Sequence, residues 1–320
     1  MDKKIAYLFP GQGAQYSGMA MDLLVSDKVK LLFDTASEIF KTDVKKLLLS
    51  DSDTLKRTDV SQPAITTANL AAAVYLEEQG YSPALCAGFS LGEYAALACA
   101  NVIDIPDCFR LVKSRGEAMQ KTIDSLQKKE GNSQGNVPGM LVVVGLSPQH
   151  AEELIKQWDD ISDLYAANIN SPKQIVVSGT ARALEQAAIR FKEAGAKRAI
   201  GLPVAGPFHS PLMASAVEEF IPVLETISFR DPTVTVLSNV TGKEITSAQE
   251  AKKLAALQIT SPVRWVDEET AIASFGIDVC FEVGPGNVLQ GLWQNMSTNI
   301  PVFAAGTTAD IASIKNEKTN

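Results

Sequence analysis

The sequence predicts an α/β protein, a parallel-sheet core interrupted by an inserted βαββαβ subdomain. Three observations predict it. A short apolar run, Ile5 to Phe9, leads into the turn Pro10-Gly11-Gln12-Gly13 and then into helical segments. A second short run at 84–87 leads into Gly88-Phe89-Ser90-Leu91-Gly92 and another helix. Between 128 and 202 the periodic segments follow a different order: strand, helix, strand, strand, helix, strand.

Taken in order, residues 5–9 form a buried strand, and Leu23, Leu24, Leu31, Leu32 and Phe33 mark the helical segments after the turn. Residues 62–79 are Ala-rich with no Gly or Pro beyond Pro63, which predicts a packed helix ending at Gly80. The strand at 84–87 runs into a helix over 93–100, whose small residues allow close packing on the sheet. A helix over 107–121 follows, and the polar, glycine-containing stretch 128–139 reads as a linker. Strands at 140–144, 164–169, 174–178 and 198–202, with helices at 148–158 and 181–194, complete a ferredoxin-like split motif. Strands at 234–238 and 279–283 rejoin the first sheet, the second ending in Gly284-Pro285-Gly286. The resulting division is a core of 1–127 and 203–320 around an insert of 128–202. The charged segment 315–320 is expected to fray.

Composition narrows the function. The 320 residues are 46% hydrophobic, enough for a sizeable core, and Asp plus Glu outnumber Lys plus Arg by 37 to 29. A net charge of -8 does not steer a protein globally toward nucleic acid or an anionic membrane. No apolar run is long enough for a signal sequence or a membrane span. Four cysteines without a CxxC pair fit neither a disulfide framework nor a zinc cage, so a reducing, cytoplasmic setting is expected. Only two histidines exist, His150 and His209, which excludes multi-histidine metal sites and restricts any imidazole base to these two.

The chemistry concentrates at Ser90. Strand, Gly88-x-Ser90-x-Gly92 and helix together make the nucleophile elbow of hydrolase-like folds: the hydroxyl is exposed on a tight turn, and the N–H that follows is free to hold an oxyanion. The bare pattern also occurs as a structural turn, and the strand-to-helix setting favours the nucleophile. His150 falls in the first turn of a surface helix, a solvated position. His209, in Gly206-Pro207-Phe208-His209-Ser210-Pro211, is then the base by elimination if Ser90 is a nucleophile. Arg115 interrupts an apolar stripe of Cys108, Leu111, Val112 and Met119. Its partner is either an internal carboxylate or the carboxylate of a substrate.

Six segments in order, Phe9-Pro10-Gly11-Gln12-Gly13-Ala14-Gln15, Gly88-Phe89-Ser90-Leu91-Gly92-Glu93-Tyr94, Arg115-Gly116-Glu117-Ala118-Met119-Gln120, Gly206-Pro207-Phe208-His209-Ser210, Gln258-Ile259-Thr260-Ser261-Pro262-Val263-Arg264-Trp265 and Glu282-Val283-Gly284-Pro285-Gly286, resemble the malonyl-CoA:acyl carrier protein transacylase family. The resemblance implies that Ser90 is acylated with His209 as its base, and that Gln258 orients the histidine in place of a carboxylate. It implies an oxyanion hole from the backbone N–H groups of Gln12 and Leu91, and a malonyl carboxylate on Arg115. Asn168 and Asn170 would line the cleft between subdomains. Phe208 stands where malonyl-using relatives carry phenylalanine and methylmalonyl-using ones a small residue. Many relatives have histidine where this chain has Phe89. Malonyl-CoA and acyl carrier protein are the implied partners, in a ping-pong cycle supplying extender units for fatty acid synthesis, with no metal or cofactor. A serine hydrolase or thioesterase of the same fold class is the first rival reading, and a non-catalytic carrier-binding protein the second. Arg115 speaks against the one, and Ser90 with His209 against the other.

Overall fold

The computed structural model describes residues 3–129, 137–296 and 298–317. Its strands are β1 (Ile5–Phe9), β2 (Leu85–Gly88), β3 (Gly139–Val144), β4 (Leu164–Ser171), β5 (Gln174–Gly179), β6 (Arg198–Gly201), β7 (Thr235–Val236), β8 (Val279–Glu282) and β9 (Val302–Ala304). The α-helices are α1 (Asp27–Phe40), α2 (Val44–Leu48), α3 (Thr58–Glu78), α4 (Gly92–Cys99), α5 (Ile105–Lys129) and α6 (Pro148–Gln157) in the first half. In the second half they are α7 (Ala181–Glu193), α8 (Ala214–Thr226), α9 (Ala248–Leu257), α10 (Trp265–Ser274), α11 (Val288–Trp293) and α12 (Thr308–Glu317).

The first sheet has the order β7-β2-β1-β8-β9, all parallel. Every residue of β1 is buried. Its side chains alternate: Ile5, Tyr7 and Phe9 enter the larger core, Ala6 and Leu8 the core on the other face. A fully buried side chain of this size contributes about 1.5 to 3 kcal/mol, so a strand with no polar face belongs at the centre of the sheet. The single polar atom, the Tyr7 hydroxyl, donates to Tyr81 O at 2.8 Å.

The second sheet is antiparallel with the order β4-β5-β3-β6. Leu141 and Val143 of β3 pack with Ala183, Ala187 and Phe191 of α7 in a core of their own. Met140 and Val142 point the opposite way, to the main core, together with Val176 of β5. One face of this sheet is thereby turned toward the carboxyl ends of the parallel strands, where open α/β sheets bind ligands. Two register shifts interrupt β4, between Ala166 and Asn168 and between Ile169 and Ser171. Such bulges re-aim side chains, and here Asn168 comes to lie opposite Val176, on the face turned to the core.

Several elements depart from the sequence expectation. Helix α3 starts at Thr58 instead of 62, with Pro63 inside it. Contact with α5 lengthens it: Thr58 N–H donates to Gln120 Oε1 at 3.0 Å, and a Cβ on Gly116 would lie 3.0 Å from Thr58 O. Helix α5 is itself longer than 107–121, and beyond that span Thr122 shares a 2.9 Å hydrogen bond with Ser215 of α8. β7 is two residues long instead of five, because Ser238 N–H turns away to Lys243 O at 2.9 Å. β9 and helices α8 to α12 carry no signal singled out from sequence. Helix α12 continues to Glu317, past the start of the segment expected to fray, and 318–320 lie outside the described residues. So does most of the linker, 130–136. Among the described residues no helix is long and apolar enough to cross a membrane, and no three His, Cys, Asp or Glu side chains could hold a metal ion.

Candidate active site

Ser90 lies between β2 and α4 with φ +50°, a left-handed backbone that a non-glycine residue adopts at a cost of about 1 kcal/mol or more. The turn is possible because its flanks are glycine. A Cβ on Gly88 would fall 2.1 Å from Gly92 C, and one on Gly92 would fall 2.0 Å from Phe9 O. Asn239, three residues past β7, pins the turn from below. Its Oδ1 accepts Ser90 N–H at 2.7 Å, while its Nδ2 donates to Gly88 O at 2.7 Å and Glu268 Oε1 at 2.8 Å.

His209 meets this serine. Its Nε2 lies 2.7 Å from Ser90 Oγ, and its Nδ1 lies 2.9 Å from the main-chain oxygen of Gln258. A carbonyl oxygen only accepts, so Nδ1 carries the proton and Nε2 is the acceptor for the serine hydroxyl. The histidine too has a positive φ, +56°. Burial first, and the nearby Arg115 charge second, hold its imidazole down to about 4. His150 stands apart on α6, half exposed and 3.9 Å from Glu153 Oε2.

Arg115, 1% exposed on α5, reaches the same oxygen from the other side. Its Nη2 is 3.4 Å from Ser90 Oγ and donates to Gln258 Oε1 at 3.0 Å, and the guanidinium sits 5.4 Å from the Tyr94 ring centre. Its Nε has no partner, and among the described residues no carboxylate lies in ion-pair contact with it. Of the two partners considered from sequence, the internal carboxylate is not in contact. Gln258 has two roles where sequence indicated one. Its carbonyl orients His209, and its amide holds Arg115 while Nε2 donates to Ser90 O at 2.9 Å and Glu93 Oε2 at 2.7 Å.

The loop after β1 closes the third side. A Cβ on Gly11 would lie 2.4 Å from Phe89 O, so this loop abuts the elbow, and Gln12 joins Leu91 at the wall of a cavity of about 250 Å³. The backbone N–H groups of Gln12 and Leu91 have no partner among the described residues. Ser90, Arg115, Asn168, Asn170, Phe208 and His209 line the same cavity, with Met140, Val176, Leu202 and Val204 as its apolar wall. Gln258 is buried behind His209 and Arg115 and outside the cavity. Phe89 packs edge-on against Trp265 with ring centres 5.5 Å apart, an apolar contact in the place where a histidine was noted as absent.

Sequence reasoning missed Asn239, Glu93 and Glu268, all buried. Glu93 had a readable signal, an acid on an otherwise small and apolar helix, the same kind of interruption that singled out Arg115. Asn239 had none beyond its place after a strand.

A serine hydroxyl, an imidazole nitrogen placed to accept its proton, a cation 3.4 Å from the same oxygen and two N–H groups without a partner among the described residues, all at one cavity, suit transfer of an acyl group that bears a negative charge. The family model described as the acyl transferase domain matches residues 6–313. The malonyl CoA-acyl carrier protein transacylase of Haemophilus influenzae is 36% identical over 317 residues, covering 98% of each chain. That of Coxiella burnetii superposes with a TM-score of 0.91 at 32% identity, covering 100% of this chain and 99% of the other. A malonyl-transacylase solved in complex with its type II PKS acyl-carrier protein gives a TM-score of 0.89 at 35% identity, covering 99% of this chain and all of its own.

Proposed function

Because the chain belongs to the acyl transferase family, among its malonyl CoA-acyl carrier protein transacylases, we propose that Ser90 carries the malonyl group between the two substrates. The reaction is transfer of malonyl from malonyl-CoA to the phosphopantetheine thiol of acyl carrier protein, which supplies extender units for fatty acid synthesis. The observation that carries the serine intermediate is the meeting of His209 Nε2 and Arg115 Nη2 on one oxygen, Ser90 Oγ, at 2.7 and 3.4 Å.

In the first half-reaction Ser90 Oγ attacks the thioester carbon while His209 Nε2 takes its proton. The N–H groups of Gln12 and Leu91 receive the oxyanion, and Arg115 holds the malonyl carboxylate. The C–S bond then breaks, and the His209 proton leaves with the CoA sulfur. The carrier's thiol reverses these steps. Gln258 keeps the imidazole in the accepting tautomer with a neutral carbonyl in place of a carboxylate, and the imidazole's low affinity for protons fits that arrangement. Asn168 and Asn170 are read as contacts to the substrate arm, and Phe208 as the limit on the acyl α-carbon.

The core of 1–127 and 203–320 and the insert of 128–202 are the division we adopt. The strand order β4-β5-β3-β6 supports reading the insert as ferredoxin-like. Four free cysteines support a cytoplasmic setting.

Mass spectrometry after mixing with malonyl-CoA, with and without carrier protein, tests the reading. A malonyl adduct on Ser90 that moves to the carrier is expected, and Ser90→Ala should lose it with the fold intact. Release of free malonate would favour the hydrolase, no adduct the non-catalytic binder, and an adduct on another serine would refute the assignment.

A further inference from the structure

Arg115 brings a positive charge into a buried site where, among the described residues, no carboxylate touches it. The nearest compensation runs through an amide. Gln258 accepts from Arg115 with Oε1 at 3.0 Å and, with Nε2, donates to Glu93 Oε2 at 2.7 Å. Glu93 lies on the first turn of α4, 1% exposed. Its Oε2 also accepts Asn239 N–H at 3.1 Å, and its Oε1 has no partner.

Three other titratable groups stand around this carboxyl. Glu268 of α10 reaches the same Asn239, and burial first, then the charge of Glu93, keep its carboxyl well above the usual range. Tyr94, beside it on α4, has its phenol pushed up by burial and stays neutral. His209 is kept neutral by its own burial. Glu93 differs from them: burial raises it only to about 7, against hydrogen bonds from Gln258 and Asn239 and the charge of Arg115.

We propose that Glu93 is the exchangeable counter-charge of Arg115: in the free enzyme its carboxylate balances the guanidinium through Gln258, and it takes up one proton when a carboxylated acyl group docks on Arg115. The inference rests on the malonyl reading of the site. Two carboxylates facing one guanidinium in a buried site do not both stay ionised, and the one in direct contact keeps its charge. An acyl carboxylate would touch Arg115, whereas Glu93 acts across an amide. The unpartnered Oε1 is the atom available to hold the proton. The balance for the first half-reaction is enzyme serine plus malonyl-CoA plus one solvent proton, giving malonyl-serine, protonated Glu93 and CoA thiol. Acetyl-CoA brings no carboxylate and should draw no proton.

The test is proton uptake in weakly buffered solution with an indicator dye, on mixing wild-type enzyme with malonyl-CoA or acetyl-CoA at pH 7 to 8. Uptake rising from about half a proton per acylated serine at pH 7 toward one at pH 8 is expected with malonyl-CoA, and none with acetyl-CoA. In parallel, KM for malonyl-CoA should rise above pH 7 by up to about tenfold per pH unit, with acetyl-CoA as the control for titration of CoA itself. Glu93→Gln, close in shape, should abolish both the uptake and the pH dependence of malonyl preference. The wild-type measurements decide the matter even if that variant does not fold. Equal behaviour of the two thioesters, or uptake that persists in a folded Glu93→Gln, would overturn the inference. Absence of any malonyl-Ser90 adduct would instead overturn the functional reading beneath it.

Discussion

Acid is the perturbation that tests the imidazole most directly. An unperturbed histidine titrates near ~6.5, and from sequence acylation should fall below about that pH. In the structure His209 is held down to about 4, by burial and then by Arg115. No carboxylate backs it, because Nδ1 donates to the Gln258 carbonyl at 2.9 Å. At pH 5 a base titrating at about 4 is about 90% neutral, whereas one titrating near 6.5 would be about 3% neutral, a roughly 30-fold difference in competent enzyme. The assay is single-turnover acylation of Ser90 by rapid quench at saturating malonyl-CoA, from pH 4 to 7. The rate should stay flat to about pH 5 and fall toward tenfold per unit only below the titration point, and His209→Ala should remove this limb with most of the rate. A midpoint between 6 and 7 in the parent would refute the burial argument. The same shift has a stability consequence. Between 6.5 and about 4 the unfolded chain binds a proton that the native histidine refuses, so the stability present above 6.5 is lost as pH falls and is gone near 4. The gap amounts to about 3 kcal/mol, which urea melts of wild type and a folded His209→Gln, compared at pH 7 and pH 4.5, would detect.

Arg115→Ala should cost malonyl-CoA about 2 to 4 kcal/mol in kcat/KM relative to acetyl-CoA, the range for losing a buried charged pair, and equal losses would assign Arg115 to the scaffold. Phe208 is buried against the cavity wall, and an α-methyl group there would overpack it by about 1 to 3 kcal/mol. Phe208→Ser should therefore narrow the malonyl to methylmalonyl ratio of kcat/KM by roughly tenfold in a competition assay, and an unchanged ratio would return Phe208 to a packing role. Asn239→Ala removes the acceptor of Ser90 N–H and strands Gly88 O and Glu268, so a loss of about 1 to 3 kcal/mol in stability is expected in thermal melts. Acylation by malonyl and acetyl groups should slow alike, and selective loss of malonyl would place Asn239 with Arg115 instead.

Local chemistry made part of this protein legible in one dimension. The apolar run Ile5–Phe9 has no polar side to offer solvent, so it had to be an interior strand. Gly88 and Gly92 flank a serine because no Cβ fits there, and that steric demand is written in the motif itself. A cation on an apolar stripe announced Arg115, and a count of two histidines left His209. The roles given to Gln12, Gln258 and the two asparagines came from a family resemblance, and no local pattern would have supplied them.

The tertiary structure alone decided how these groups act on one another. Gln258 orients His209 through a main-chain carbonyl that any residue possesses, and its amide serves Arg115 and Glu93 instead. Asn239 sits 149 residues from Ser90, and nothing in its neighbours foretells the 2.7 Å bond between them. Helix α3 runs through Pro63 because contact with α5 outweighs propensity, and β7 shortens because Ser238 finds a nearer acceptor in Lys243. The acidity of His209 and Glu93 follows the same rule. Burial and neighbouring charge set it, and both arise only when distant segments close around the site. Short-range sterics and periodicity are properties of neighbours in the chain, whereas desolvation and charge coupling act through space and exist only once the chain has folded.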